Sequence, residues 1–223
     1  MPISSDFHTH TILSDGALLP EELLRRALAM GYTAMALTDH VGWSNCTTVA
    51  EQVARACENY RRYARIIAVP GVEITHVPAA GIAEVAAMAK RAGARLVVVH
   101  GETPVEPVEP GTNRAAVCCA DVHVLAHPGF ISGEEAALAA QNGVFIEVSG
   151  RKGHSLTNGH VVLTGRAAGV RFLINSDAHE PGDLMTMEMA RKVGRGAGLD
   201  DEELAGAMER NPGMLLERLG IPS

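Results

Sequence analysis

Short apolar runs rich in β-branched residues alternate along the chain with longer stretches whose apolar positions recur at helical spacing. The runs cover residues 3–8, 33–37, 65–74, 95–100, 122–126, 143–149 and 170–174. The helical stretches begin after Pro20 and stop at Gly31, then cover 48–65, 80–92, 113–120, 132–142 and 158–168. Two or three further helices close the chain, the last near 214–219. Proline at the start and glycine at the end of the first helix are the expected punctuation. Ser132 with Glu135 three residues on reads as a capping box. The third run is interrupted by Pro70-Gly71, and 102–110, rich in Pro, Glu and Val, reads as a loop. The run Arg95–His100 has no alternation and suits a strand buried on both faces, as in a parallel sheet.

Repeated strand-then-helix units predict an α/β fold with a parallel sheet of seven strands. No linker-like shift of composition divides the chain, so residues 1–223 read as one domain. Most of the strands end on polar residues of metal-binding type: His8 and His10, His40, Glu73, His100, His127, and Asp177 with His179. In an open sheet, sites gather at a switch point, whereas in a barrel they ring one face. The distribution therefore favours a closed or nearly closed barrel.

A single histidine at a strand end is usually a hydrogen-bonding loop residue. Six at the same place in a repeating unit, joined by Asp15, Glu73 and Asp177, are a different matter. Without partners, that many polar groups converging on one mouth would be costly. Nine nitrogen and oxygen donors exceed what one zinc takes, so two or three divalent ions sharing a bridging carboxylate are expected. With no thiolate in the set, Zn, Mn and Fe all remain candidates. Such a cluster suits phosphoester hydrolysis, acidifying a water and neutralising phosphoryl oxygens. His76, His123, His154 and His160 do not fit the strand-end pattern as cleanly.

Composition narrows the partner. A formal net charge of −7 and 4% aromatic residues argue against a nucleic-acid backbone or a base-stacking surface. The 47% hydrophobic content suits a full core. No signal-like start and no apolar run of about 20 residues is present. Cys46, Cys57, Cys118 and Cys119 form no CxxC pair and read as reduced thiols of a cytoplasmic protein, with Cys118-Cys119 as buried small hydrophobes.

His8-x-His10 with Ser14-Asp15-Gly16, Thr38-Asp39-His40, Gly71-Val72-Glu73, His100, Ala126-His127-Pro128 and Ser176-Asp177-Ala178-His179 resemble the motifs of the PHP (polymerase and histidinol phosphatase) family, in its short histidinol-phosphatase-like form. The resemblance implies a distorted (β/α)7 barrel with three metal ions. It implies that His8, His10, Glu73 and Asp177 hold one ion and that Glu73 bridges to a second, completed by His100 and His127. His40 and His179 would hold the third beside Asp15, where some family members carry histidine. It places His8, His10, Glu73, Asp177 and His179 at the reacting centre, where a metal-bridging hydroxide attacks phosphorus in line.

The expected activity is hydrolysis of a small phosphorylated substrate. Arg151, with Lys152 or His154, is the expected phosphate-holding group in the loop after the sixth strand. Asn158 and His160 are weaker candidates for substrate contact, and Glu102, Glu106, Trp43 and Asn45 for the pocket rim. His123, four residues before His127, is expected on the same strand face, in core packing or in support of the ligands. Two rivals remain: a 3′–5′ exonuclease or nucleotide phosphoesterase, and a non-catalytic protein subunit of the RNase P type.

Overall fold

The apolar runs do form parallel strands, and their register decides which polar side chains meet. A computed structural model describes residues 4–222, so Ile3 of the expected first strand lies outside the described residues. The strands are β1 (Ser5–Asp6), β2 (Ala34–Leu37), β3 (His40–Val41), β4 (Ile67–Ile74), β5 (Leu96–His100), β6 (Val124–Ala126), β7 (Phe145–Ser149) and β8 (Phe172–Asn175). They run in the order β1-β2-β4-β5-β6-β7-β8, with β3 also on β4. Leu37 pairs with Pro70 and His40 with Glu73, so β2 and β3 share one register. They are a single strand broken at Thr38-Asp39, which leaves seven strands.

The sheet curls into a nearly closed barrel. Between β8 and β1 a single bridge, Thr9 to Ala178, replaces the ladder. His10 N donates to Ala178 O at 2.8 Å, and Phe7 N to Asn175 Oδ1 at 2.9 Å. That side-chain bond explains why β1 stops at Asp6 instead of reaching His8: the next amides turn to side chains, His8 N going to Asp6 Oδ1.

The helices are α1 (Pro20–Ala29), α2 (Cys46–Arg61), α3 (Ile82–Arg91), α4 (Thr112–Cys118), α5 (Gly133–Asn142), α6 (Asn158–Ala168), α7 (Met187–Gly196), α8 (Asp201–Ala205) and α9 (Asn211–Arg218). Pro20 opens α1, and the Ser132–Glu135 capping box opens α5. The larger core lies between strands and helices. A second one fills the barrel, where Phe7, Ala34, Val69, Val98, Phe145 and Leu173 meet Leu215 and Leu216 of α9. Side chains alternate along a strand, so Glu73, His100 and Glu147 fall on the same inward face as Val69, Val98 and Phe145. Apolar residues thus close the amino end of the barrel, and polar ones line the carboxyl end.

Pro70-Gly71 does not interrupt β4. Pro70 accepts Arg95 N at 2.8 Å through its carbonyl. A Cβ on Gly71 would stand only 2.9 Å from Thr38 Cγ2 and 3.1 Å from Leu96 Cβ, so the crowded interior requires glycine there. Cys46 and Cys57 are buried, but Cys118 is exposed and Cys119 half-buried, because α4 ends on Cys118 and the chain leaves the helix there. Among the described residues no helix is long and apolar enough to cross a membrane.

Candidate metal centre

Two carboxylates, Glu73 at the end of β4 and Asp177 after β8, stand at the centre of the mouth, and imidazoles from four strand ends converge on them. His8 Nε2 lies 3.3 Å from Glu73 Oε1 and 3.7 Å from Asp177 Oδ1. His10 Nε2 lies 3.2 Å from Asp177 Oδ1, and His127 Nε2 3.5 Å from Glu73 Oε1. His40 Nδ1 is 2.7 Å from Glu73 Oε2. Asp15 Oδ1 faces His179 Nε2 at 3.2 Å and His40 Nε2 at 3.6 Å. His100 completes the ring of strand-end donors, its Nε2 turned to Glu106 at 3.1 Å. The structure therefore brings all nine sequence-nominated donors to one mouth.

Their chemistry fits divalent cations. His8 Nε2, His10 Nδ1 and Nε2, Glu73 Oε1, His127 Nδ1 and Asp177 Oδ1 are buried without a hydrogen-bond partner. Buried polar atoms normally find partners, and a cluster of lone pairs left over is what a metal shell supplies. Among the described residues five sets of donor atoms each lie within 4.8 Å of one another: His8, His10 and Asp177; His10, Asp15, His40 and His179; His100, His127 and His154; His8, His127 and Glu147; and His76, His100 and Glu106.

The charges point the same way. Burial opposes ionisation of Glu73, yet His8 and His40 hold its carboxyl well below the usual range. Burial pushes Asp177 up in spite of His8 and His127. Burial also opposes charging His8, but Glu147, Glu73 and Asp177 raise it well above an ordinary histidine. His10 goes well below, through burial and then His40. The opposed shifts of His8 and His10, and of Glu73 and Asp177, are those of a site built of anions and lone pairs packed together out of water.

The backbone is bent to make this geometry. His127 (φ 26°) and Asp177 (φ 54°) lie in the left-handed region, at a cost of about 1–3 kcal/mol each. Arg151 Nη1 donates to Asp177 O at 3.0 Å and helps to hold that turn. Behind the donors, Glu147 Oε2 receives His8 Nδ1–H at 2.7 Å and Asn175 Nδ2–H at 3.0 Å. Asp39, in the break between β2 and β3, accepts Thr11 N (2.7 Å), Thr11 Oγ1 (2.8 Å) and Ser14 Oγ (2.8 Å), anchoring the loop that carries Asp15.

Over the donors opens a cleft of about 450 Å³, walled by Gly42, Asn45, His76, Glu106, Arg151 and His154. A second cavity of about 760 Å³, with Lys152, Leu184, Met185 and Met189, adjoins it and shares Asp15, Arg151 and His179. Arg151 is thus at the cleft, while Lys152 faces the neighbouring cavity. His154 stands deeper than a phosphate-holding residue of the rim. It is buried, stacks on His127 with centroids 4.1 Å apart, bonds Thr103 Oγ1 at 2.8 Å, and joins His100 and His127 as a donor. Burial, then His127 and His100, lower it to about 3, so its ring is neutral.

Other candidates lie elsewhere. Asn158 clamps Ser149 through both N and O, and His160 bonds Ile131 O. Glu102 caps the start of α4 at Gly111 N and Asn113 N, and Trp43 packs over Gly81. His123 is not among the donors: its Nδ1 accepts Val97 N at 3.1 Å near the start of β6, one end of the strand away from His127. Sequence reasoning missed Glu147, whose signal was a carboxylate inside a fully apolar run. Asp39 and the donor position of His154 carried no signal of spacing.

The profile of the PHP domain matches residues 6–183. The chain is 47% identical over 215 residues to the uncharacterized protein MJ1295 of Methanocaldococcus jannaschii, covering 96% of this chain and 99% of that one. A 72-residue stretch is 43% identical to the 5′-3′ exoribonuclease Rnm of Salmonella typhimurium, covering 32% of this chain and 22% of Rnm. Among solved structures, the metal-dependent tyrosine phosphatases YwqE from Bacillus subtilis and CpsB from Streptococcus pneumoniae match with a TM-score of 0.65. That match covers 98% of this chain and 96% of the other, and at 16% identity it is a likeness of fold.

Proposed function

The chain belongs to the PHP domain family, and within this family of metal-dependent phosphoesterases we propose that it is a phosphatase of a small phosphomonoester. The observation that carries this reading is Arg151, the one Arg or Lys side chain lining the cleft among the described residues. A single guanidinium beside the donors offers two parallel N–H groups to one terminal phosphoryl group. A polynucleotide track needs a row of cations, whereas this rim carries Asp15 and Glu106.

His8, His10, Asp15, His40, Glu73, His100, His127, Asp177 and His179 would hold divalent ions, either Zn, Mn or Fe. Such ions, when bound, acidify water and neutralise phosphoryl oxygens. The chain's own part is positional. Glu147 fixes the His8 ring, Asp39 fixes the loop of Asp15, and Arg151 orients the phosphoryl group while braced against Asp177 O. The cavity beyond Arg151 would receive the leaving group. All four cysteines are unpaired, which supports a reducing, cytoplasmic setting.

The local similarity to Rnm favours one second reading, an exonuclease acting on short RNA. A subunit without catalysis is disfavoured, because every donor position carries a competent side chain. Phosphate release is the test, from a panel of histidinol phosphate, nucleoside monophosphates, sugar phosphates and a short oligonucleotide, with Mn²⁺ or Zn²⁺ and after chelation. Chelator-sensitive turnover of one small monoester supports the phosphatase. Cleavage of the oligonucleotide alone replaces it with the nuclease.

A further inference from the structure

Glu106 lies outside the nine donors, on the loop after β5, yet its carboxylate reaches into the mouth among imidazoles. Its Oε2 stands 3.1 Å from His100 Nε2 and 3.2 Å from His76 Nε2. Its Oε1 lies 3.5 Å from His154 Nε2. Donors about 2.1 Å from a common ion are separated by about 3.0 Å in an octahedron and about 3.4 Å in a tetrahedron. The two contacts of Oε2 fall in that range, and the donor atoms of His76, His100 and Glu106 all lie within 4.8 Å of one another.

Ring orientation supports ligation. His100 Nδ1 is 3.2 Å from Gly101 O, so Nδ1–H donates to the carbonyl, and Nε2, the nitrogen left to hold an ion, faces Glu106. His76 is held at φ 52°, a left-handed conformation uncommon for a residue with a Cβ, which turns the chain directly after β4 and Thr75. Its ring centroid is 5.2 Å from that of His100. Two imidazoles and one carboxylate with open positions toward solvent make a donor set suited to Fe, Mn, Zn or Co.

We propose that His76 and Glu106 join His100 in ligating one of the divalent ions of the centre, a role that rests on the metal-dependent reading of the site. One nitrogen serves one ion, and the only free nitrogen of His100 is the one aimed at Glu106. The ion that His100 holds is therefore the one these two side chains complete. Metal binding then also tethers the 102–110 loop to the mouth of the barrel, placing one wall of the cleft under the control of the ion. An ordinary ion pair of Glu106 with charged imidazoles is the rival account, and it leaves metal binding untouched.

The test is Zn²⁺ titration by calorimetry, with metal analysis after dialysis, on the full chain and on its Glu106→Gln and His76→Ala variants. Both side chains are partly exposed, and thermal unfolding followed by circular dichroism confirms that the variants fold. Each variant is expected to lose about one equivalent of Zn²⁺, or to bind it at least about tenfold more weakly. Hydrogen exchange in 102–110 is expected to rise on chelation in the unmodified chain and to respond less in Glu106→Gln. Unchanged stoichiometry and affinity in both variants would overturn the proposal. No substrate enters the titration, so the outcome is independent of whether a phosphomonoester is turned over.

Discussion

His8 Nδ1 and Glu147 Oε2 lie 2.7 Å apart, both side chains fully shielded from solvent. Glu147 sits mid-strand, where its inward pointing is dictated by the alternation that buries Phe145. The bond takes up Nδ1, so Nε2, which faces Glu73 and Asp177, is the nitrogen left to hold an ion. Glu147→Gln keeps the shape but weakens this orientation, and metal affinity is expected to fall about 10–100-fold, read by competition with a chromophoric chelator. Undiminished affinity would remove Glu147 from the centre.

Asp177 combines a place among the imidazoles of His8, His10 and His179 with a left-handed backbone. Asp177→Ala is expected to abolish hydrolysis and lower bound metal. Asp177→Gly should lose activity equally, yet in metal-free form be about 1–2 kcal/mol more stable than Asp177→Ala, because glycine tolerates φ 54°. Urea unfolding of the two variants after chelation gives the comparison.

Arg151→Ala should chiefly raise KM for the phosphomonoester, while Arg151→Lys restores only part of it, since an ammonium offers no planar fork. Steady-state kinetics decide this. A fall in kcat with KM unchanged would move Arg151 from substrate holding to the support of the Asp177 turn.

Asp39 holds three donors of the loop that carries Asp15. Asp39→Ala strands Thr11 N and two hydroxyls and should cost roughly 2–4 kcal/mol of stability, measured by urea unfolding. Asn at this position should recover part of the loss. Metal content should drop with it, because Asp15 faces His40 and His179 only while the loop is pinned.

His123 offers a pH test away from the metal donors. Burial, then the charges of Arg218 and Lys90, lower it to about 4 from an ordinary value of 6.5. The unfolded chain therefore takes up a proton below about pH 6.5 that the folded one refuses. Its contribution to stability is complete above pH 6.5 and is lost as pH falls toward 4, amounting to about 3 kcal/mol at the low end. His123→Asn can keep an acceptor for Val97 N without titrating. Its urea midpoints between pH 7 and 4.5 should fall less steeply than those of the unmodified chain.

Much of the architecture was legible in one dimension. Apolar runs of strand length between helical stretches specify a parallel α/β fold, because burial on both faces leaves no other use for Leu96–Val99. Putting each polar donor at the end of such a run specifies the carboxyl face as the site. Local chemistry also set ends that could be read directly, such as the Ser132–Glu135 box and Pro20. The boundary of β1 was not legible, because it depends on Asn175, 168 residues away in the chain.

The sequence by itself determined the fold class and which polar side chains stand at or just past the strand ends, with Asp15 in the loop after β1. Tertiary structure alone decided how those donors share space. Spacing along one strand says which face a side chain takes, but the distance between side chains on different strands depends on register and closure. Register placed His40 beside Glu73, and closure through Thr9 and Ala178 brought His10 to Asp177. The same rule drew His154, Glu147 and Glu106 toward the donors. No local pattern predicts the partner of a side chain that lies dozens of residues away.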